Sequence, residues 1–324
     1  MKHEFTPDHY HTTIGWHEPV LTIQDGDTVS TTTIDAGGKD KNGEQVSEGG
    51  NPQTGPFYVE GAEPGNILAV TFDHLMPNRE YGHTSGQIAG NVLDPGYIPK
   101  FDDEASRFIW KIDFDNHTAS PVEYTNDRNA TRLGEGKPVE GLLTNLSLPL
   151  NPHSGCFGVA PARRQHISCA TSANHGGNMD YKRFTNGVTV YLPIAAEGAL
   201  FHIGDGHALQ GDGEIVGTGI EISFDVTFTV RVIKGRSIEW PRAENDTHIM
   251  AIGNARPLDQ CVEHASTEMI RFLEEEYGLT TREAHLLMGE AVEYDMGNMF
   301  DPAYTMVCKM EKAVLEGMGA KRLT

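Results

Sequence analysis

Residues 174–221 (NHGGNMDYKRFTNGVTVYLPIAAEGALFHIGDGHALQGDGEIVGTGIE) hold three clusters that set glycine beside a carboxylate: GGNMD, GDGHALQ and GDGE. A histidine sits inside the second. Glycine lets a backbone take positive φ or pass close to a bound group. Carboxylates and imidazole are what such a backbone would aim at a metal ion or a reacting carbonyl. On a strand through GALFHIGDGH, period-two alternation puts Phe201, Ile203, Asp205 and His207 on one face. Two apolar side chains then open into two polar ones, and Asp205 either joins His207 as a ligand or orients its imidazole. QGDGE adds Gln210, Asp212 and Glu214, and GGNMD adds Asn178 and Asp180. An asparagine can orient an amide or an oxyanion, and an aspartate can ligate or accept a proton. Each run taken alone also fits a plain turn, so the functional reading rests on their clustering. His153 and Cys156 in NPHSGCFGVAP are weaker candidates, because a lone cysteine beside glycines is more often buried than nucleophilic.

Absent motifs narrow the chemistry. QGDGE lacks the run of oxygen ligands of an EF-hand loop. No phosphate loop or dinucleotide fingerprint stands in strand-to-helix context. There is no G-x-S-x-G elbow, no S-x-x-K and no H-E-x-x-H. Acids with a histidine, and no evident nucleophile, favour hydrolysis by activated water with help from a metal.

The elements that must position these residues read mostly as β. Residues 20–23 and 28–34 flank Asp25-Gly26 as in a hairpin. Residues 36–55 are a glycine-rich polar loop of the kind that can act as a lid. Strands over 56–60 and 66–74 bracket GAEPG, where Pro64-Gly65 fits the centre of a type II turn. Shorter strands over 187–194 and 199–203 lead into the glycine clusters. Residues 220–232 alternate strictly: Ile220, Ile222, Phe224, Val226, Phe228, Val230 and Val232 form a buried face, and Glu221 through Arg231 a wet one. After about residue 255 the spacing turns helical. Ala265, Met269, Phe272 and Leu273 share one side of 263–277, and Gly278 ends that helix. Thr280 and Glu283 make a capping box opening a second helix that runs to about 292. The expectation is a single domain over residues 1–324 of mainly β (or α+β) class. It has a sandwich- or barrel-like core, β-rich to about 255, with a helical pair near 263–292.

A formal charge of −21, from 25 basic and 46 acidic residues, disfavours nucleic acid and membrane surfaces as partners. It also disfavours an anionic substrate unless a local basic patch compensates. Four scattered cysteines make no C-x-x-C pair and point to reduced thiols. With no apolar leader or span, a soluble cytoplasmic protein is expected.

These motifs resemble the acetamidase/formamidase family. The resemblance is carried by VEGAEPGNILAV at 59–70, GVAPA at 158–162 and, most specifically, GGNMD through GDGEIVGTGIE at 176–221. Asn66 stands where the family's VEGAEPGD has aspartate, which preserves a turn but removes a charge. The resemblance implies hydrolysis of small linear amides to a carboxylate and ammonia, a β-rich fold, a homo-oligomer and a divalent metal.

Chemistry then suggests the roles. Asp180, His207 and Asp35 would hold the ion, zinc first and calcium as the alternative. Glu214 would be the general base and Asp205 would orient the His207 imidazole. Asn178 and Gln210 would contact the amide substrate. Two other readings stay open, a hydrolase of a cyclic or larger amide and a non-catalytic β-rich module binding a metal or a sugar. For subunit contact, Met269, Leu287 and Met288 are the apolar candidates beyond the β core.

Overall fold

The computed structural model describes residues 1–101, 106–127 and 129–323. Among them the chain is strand-rich, and its two large sheets hold nine and twelve strands. The nine-stranded sheet is built on one long antiparallel pair, Ile67–Pro77 against Phe224–Ile233. Aromatic side chains cross from it to the other sheet. Phe228 meets Phe57 and Phe201 edge-on at 5.2 and 5.1 Å between centroids, and Phe72 meets Phe157 at 5.0 Å. All five are fully buried, each contributing roughly 1.5–3 kcal/mol by leaving water.

Alternation holds from Phe224 onward: Phe224, Val226, Phe228 and Val230 are buried while Asp225 and Arg231 are exposed. It fails before that. The stretch expected as one strand is two, Glu221–Ile222 in the twelve-stranded sheet and Phe224–Ile233 in the nine-stranded one. The break falls at the buried Ser223, whose Oγ donates to Asn78 Oδ1 at 2.6 Å and whose carbonyl accepts from Asn78 N. Both partner strands therefore turn the same corner from sheet to sheet. Glu221, expected on a wet face, is 2% exposed.

The Asp25-Gly26 turn forms, with Asp27 N donating to Gln24 O, but it joins no hairpin. Leu21–Ile23 pairs in parallel with Gln53–Val59 in one sheet, and Thr28–Thr33 pairs with Phe224–Ile233 in the other. Asp27 holds the turn open to this use, bonding Gln24 N, His3 and the terminal amine. Pro64-Gly65 is a type II turn as expected, with Asn66 N donating to Glu63 O and Gly65 at φ 87°.

Helix Leu258–Tyr277 lies on the outer face of the nine-stranded sheet. Ala265, Met269, Phe272 and Leu273 pack there against Ile249, Ala251, Cys308 and Met310, while Met250 and Ile252 point into the core between the sheets. The contact is close enough that a Cβ on Gly253 would lie 2.0 Å from Cys261 O. Gly278 ends the helix at φ 68°, and Thr280 and Glu283 form the capping box of helix Thr281–Ala291. Met269 and Met288 are buried against this same sheet and Leu287 packs partly onto it. Met269 and Met288 are thus taken up by their own fold, and Leu287 in part.

Candidate active site

The site lies where strands Phe201–His207, His153–Gly158 and Glu221–Ile222 run side by side. Asp205 breaks the alternation of its strand with φ 57°, and Asp180 and Glu214 also have positive φ, at 44° and 47°. Such backbone costs on the order of 1–3 kcal/mol per residue and gathers at functional sites. Here it turns all three carboxylates toward His207. Asp180, Asp205 and His207 each place a ligand atom within 4.8 Å of the others. So do His207, Glu214 and Glu221, and so do Asp180, Glu214 and Asp301.

Gly155, on the strand His153–Gly158, leaves the space that they share. A Cβ there would lie 2.4 Å from Asp180 Oδ1, 2.7 Å from Asp205 Oδ2 and 2.9 Å from His207 Cε1. His207 is fully buried, and its Nε2 faces Glu221 at 3.1 Å, Asp205 at 3.5 Å and Glu214 at 3.8 Å. None of these is aligned as a hydrogen bond. His207 Nε2, Asp180 Oδ1 and Glu221 Oε2 are buried without a hydrogen-bond partner.

The electrostatics follow from crowding. Burial, reinforced by the neighbouring carboxylates, pushes Asp180 well above the usual carboxylate range, and burial raises Asp301 against the hydrogen bonds from Asn298 and Asn178. Burial pushes Glu214 well up and Glu221 to about 7, in both cases against the pull of His207. Burial would lower His207, but the charges of Glu221 and Asp205 outweigh it and hold the imidazole raised. Buried carboxylates in such numbers need protons or a cation to balance them. The converging unpartnered atoms and the Gly155 hollow fit a cation. An oxygen-rich donor set with one imidazole suits a divalent ion.

Asp180, Asp205, His207 and Glu214, expected together from sequence, converge. Asp35 does not join them. Its Oδ2 accepts from Arg79 Nη2 at 2.5 Å and its Oδ1 from Lys39 N at 2.9 Å, so a guanidinium already neutralises it. The group that orients His207 is Gln210, not Asp205. Gln210 Oε1 faces His207 Nδ1 at 2.7 Å, which leaves Nε2 for the acids. Gln210 Nε2 donates to Asp180 O at 2.5 Å, so its amide is engaged inside the protein. Asn178 is likewise engaged, donating to Asp301 Oδ2 at 2.6 Å and accepting from Asn51 Nδ2 at 2.8 Å.

His153 stands behind Gln210, with Nε2 3.3 Å from Oε1, and burial holds its pKa down at about 4. Cys156 is fully buried, which raises its thiol well above the ordinary value and makes it no nucleophile.

Sequence reasoning missed Glu221, Asn298, Asp301, Asn51 and Gly155. Asn298 Nδ2 donates to Asp180 Oδ2 and Asp301 Oδ2, both at 2.5 Å, and its strand, Glu293–Asn298, follows both helices. Met299 N donates to Gly213 O and Gly213 N to Met296 O, tying the GDGE turn to that strand. Asn51 closes the glycine-rich loop onto the site through Asn178 and Asp205 Oδ2. The loop is thereby fastened in this structure. No helix among the described residues is long and apolar enough to cross a membrane.

Comparison with known proteins places these features in a wider set. Residues 165–310 match the model of the acetamidase/formamidase family. An acetamidase of Yersinia enterocolitica is 31% identical and superimposes with a TM-score of 0.78, covering 97% of this chain and 93% of that one. An acetamidase of Bacillus halodurans is 28% identical with a TM-score of 0.77, over 98% of this chain and 100% of that one. An acetamidase of Mycolicibacterium smegmatis is 29% identical over 217 residues, 56% of this chain and 53% of that protein. The chain spans between 51% and 63% of the length of the curated relatives it matches.

Proposed function

The chain belongs to the acetamidase/formamidase family, and on that premise we propose that it hydrolyses short linear amides to a carboxylate and ammonia. The observation that carries this is the buried acid–histidine cluster with its unpartnered atoms at Asp180, His207 and Glu221. Asp180, Asp205 and His207 would hold a divalent ion. One imidazole nitrogen among carboxylate oxygens favours zinc, and calcium, which takes oxygen ligands, is the alternative. Such an ion polarises the amide carbonyl and makes water more acidic.

The chain's own residues do the rest. Gln210 fixes the His207 ring so that Nε2 faces the site. Water attacks the carbonyl carbon, forming the C–O bond. A carboxylate takes its proton and returns it to nitrogen as the C–N bond breaks. Glu214 is the acid that sequence reasoning put in this role. The geometry favours Glu221, which is closer to Nε2, has an unpartnered Oε2 and lines a cavity.

Four free, buried cysteines support a reducing cytoplasmic setting. A homo-oligomer is the assembly that the family resemblance implies. Light scattering showing a monomer would remove the oligomer. Metal analysis beside an ammonia-release screen over formamide, acetamide and propionamide tests the main reading. A folded, metal-replete protein inert on all three would overturn it.

A further inference from the structure

Beside the cluster lies a cavity of about 440 Å³ whose lining includes Glu221 and His83 together with Lys39, Arg107, Asn129 and Thr131. Gly37, Gly49 and Gly50 also line it, so part of the wall carries no side chain. Water occupies roughly 30 Å³ per molecule in the liquid, and an amide of three or four heavy atoms would leave most of this space unfilled.

Polarity changes across the cavity. The cluster end is acidic. The same cavity is lined by Lys39, whose ammonium donates to Asn129 O and Thr131 Oγ1, both at 2.8 Å. Both partners are neutral. Among the described residues no carboxylate lies within ion-pair distance of Lys39 Nζ, whereas the neighbouring Arg79 is paired with Asp35. After burial, the charges of Arg107, Arg79 and Lys39 lower the pKa of His83, so cationic charge reaches this wall. In a chain of formal charge −21, this is a local basic patch that can offset the general repulsion of anions.

We propose that the cavity receives the tail of the substrate and that the tail carries a carboxylate. The substrate class is the monoamide of a short dicarboxylic acid, with its amide at the acid–histidine cluster and its carboxylate at Lys39. This rests on the amidase reading above and adds to it the recognition of the far end of the molecule.

The test compares kcat/KM for succinamate and butyramide, which share the amide and chain but differ in the terminal carboxylate. Wild-type protein is expected to favour succinamate about tenfold or more, as for one charge-assisted hydrogen bond. Lys39→Met and the milder Lys39→Gln should bring the ratio near one, and Lys39→Arg should keep it. A wild-type ratio of one or below overturns the proposal whether or not the variants fold. So does a Lys39→Gln protein that retains the preference. If neither amide is hydrolysed, calorimetry on the wild type separates the two readings. Binding of succinamate but not butyramide supports the carboxylate site, and inertness in the formamide, acetamide and propionamide screen as well would mean that the amidase reading fails while the site stands. Binding of neither overturns the carboxylate site, and the amidase reading is then decided by the formamide, acetamide and propionamide screen.

Discussion

Where helix Leu258–Tyr277 meets the nine-stranded sheet, five cations (Arg236, Arg242, Arg271, Lys312 and Arg322) meet five carboxylates (Glu239, Glu244, Glu268, Glu275 and Glu276). At the centre Arg242 Nε donates to Glu268 Oε1 at 2.6 Å, both buried, with the Phe272 ring 4.8 Å from the guanidinium carbon. Around His207, five carboxylates (Asp180, Asp205, Glu214, Glu221 and Asp301) share one imidazole. Among the described residues no lysine or arginine stands within ion-pair distance of any of them. The first group balances itself and can be left folded and inert. The second has more acid than one imidazole can balance and needs protons or a cation as well. Excess charge of one sign, held rigidly and buried, marks chemistry, while equal numbers mark architecture.

That contrast can be broken from either side, most severely at the site. His207→Ala should abolish ammonia release, by about a thousandfold or more, and should lose metal by elemental analysis. Retention of both metal and activity would refute the site. Glu221→Gln should keep metal and lower kcat by about 10²–10⁴, more than Glu214→Gln does. The reverse order in steady-state kinetics would return the proton-carrying role to Glu214.

In the balanced group, Arg242→Met should leave Glu268 buried without its main partner and cost about 3–5 kcal/mol, read as a lower urea midpoint. The folded fraction should keep its specific activity. Adding Glu268→Leu should recover part of the loss, because an apolar pair can replace a buried ion pair.

A pH titration of chelator-treated protein sharpens the difference. The folded pKa of Glu221 is raised to about 7, from an ordinary 4.5. Between those values the folded state holds a proton that the unfolded state has released. Stability from this group is therefore present below pH 4.5 and is lost as pH rises toward 7. Glu221→Gln should then raise the unfolding free energy at pH 7.5 by no more than about 3 kcal/mol, read as a higher urea midpoint, and change little at pH 4. An equal effect at both pH values would contradict the assignment. The smallest expected effect is Thr280→Ala, which removes a helix cap worth about 1 kcal/mol and should leave ammonia release unchanged.

Much of this was legible in the residues. The helices, their caps and the type II turn are local chemistry, and local chemistry decided them. Asp180, Asp205, His207 and Glu214 were found because glycines mark places where backbone must bend, and three of these four residues do take positive φ. The errors share one cause, which is that pairing across the chain overrides local pattern. Alternation put Glu221 on a wet face, yet the corner at Ser223 moves it into another sheet. Asp35 sits at a glycine-rich strand end as expected, but Arg79, 44 residues away, takes it. Asn298 and Asp301 lie in a segment without glycine–acid clusters as dense as those upstream. Only the strand pairing that returns after the helices brings them to Asp180.

That last contact, spanning 118 residues between Asn298 and Asp180, also sets a schedule. During synthesis the glycine–acid clusters leave the ribosome long before the strand Glu293–Asn298 does. Until that strand docks, Asp180 and Asp301 have no shared amide, and the GDGE turn lacks its two backbone bonds to Met296 and Met299. Closing so long a stretch of chain is slow. Until then the nascent protein carries these acidic groups without the contacts that set their geometry.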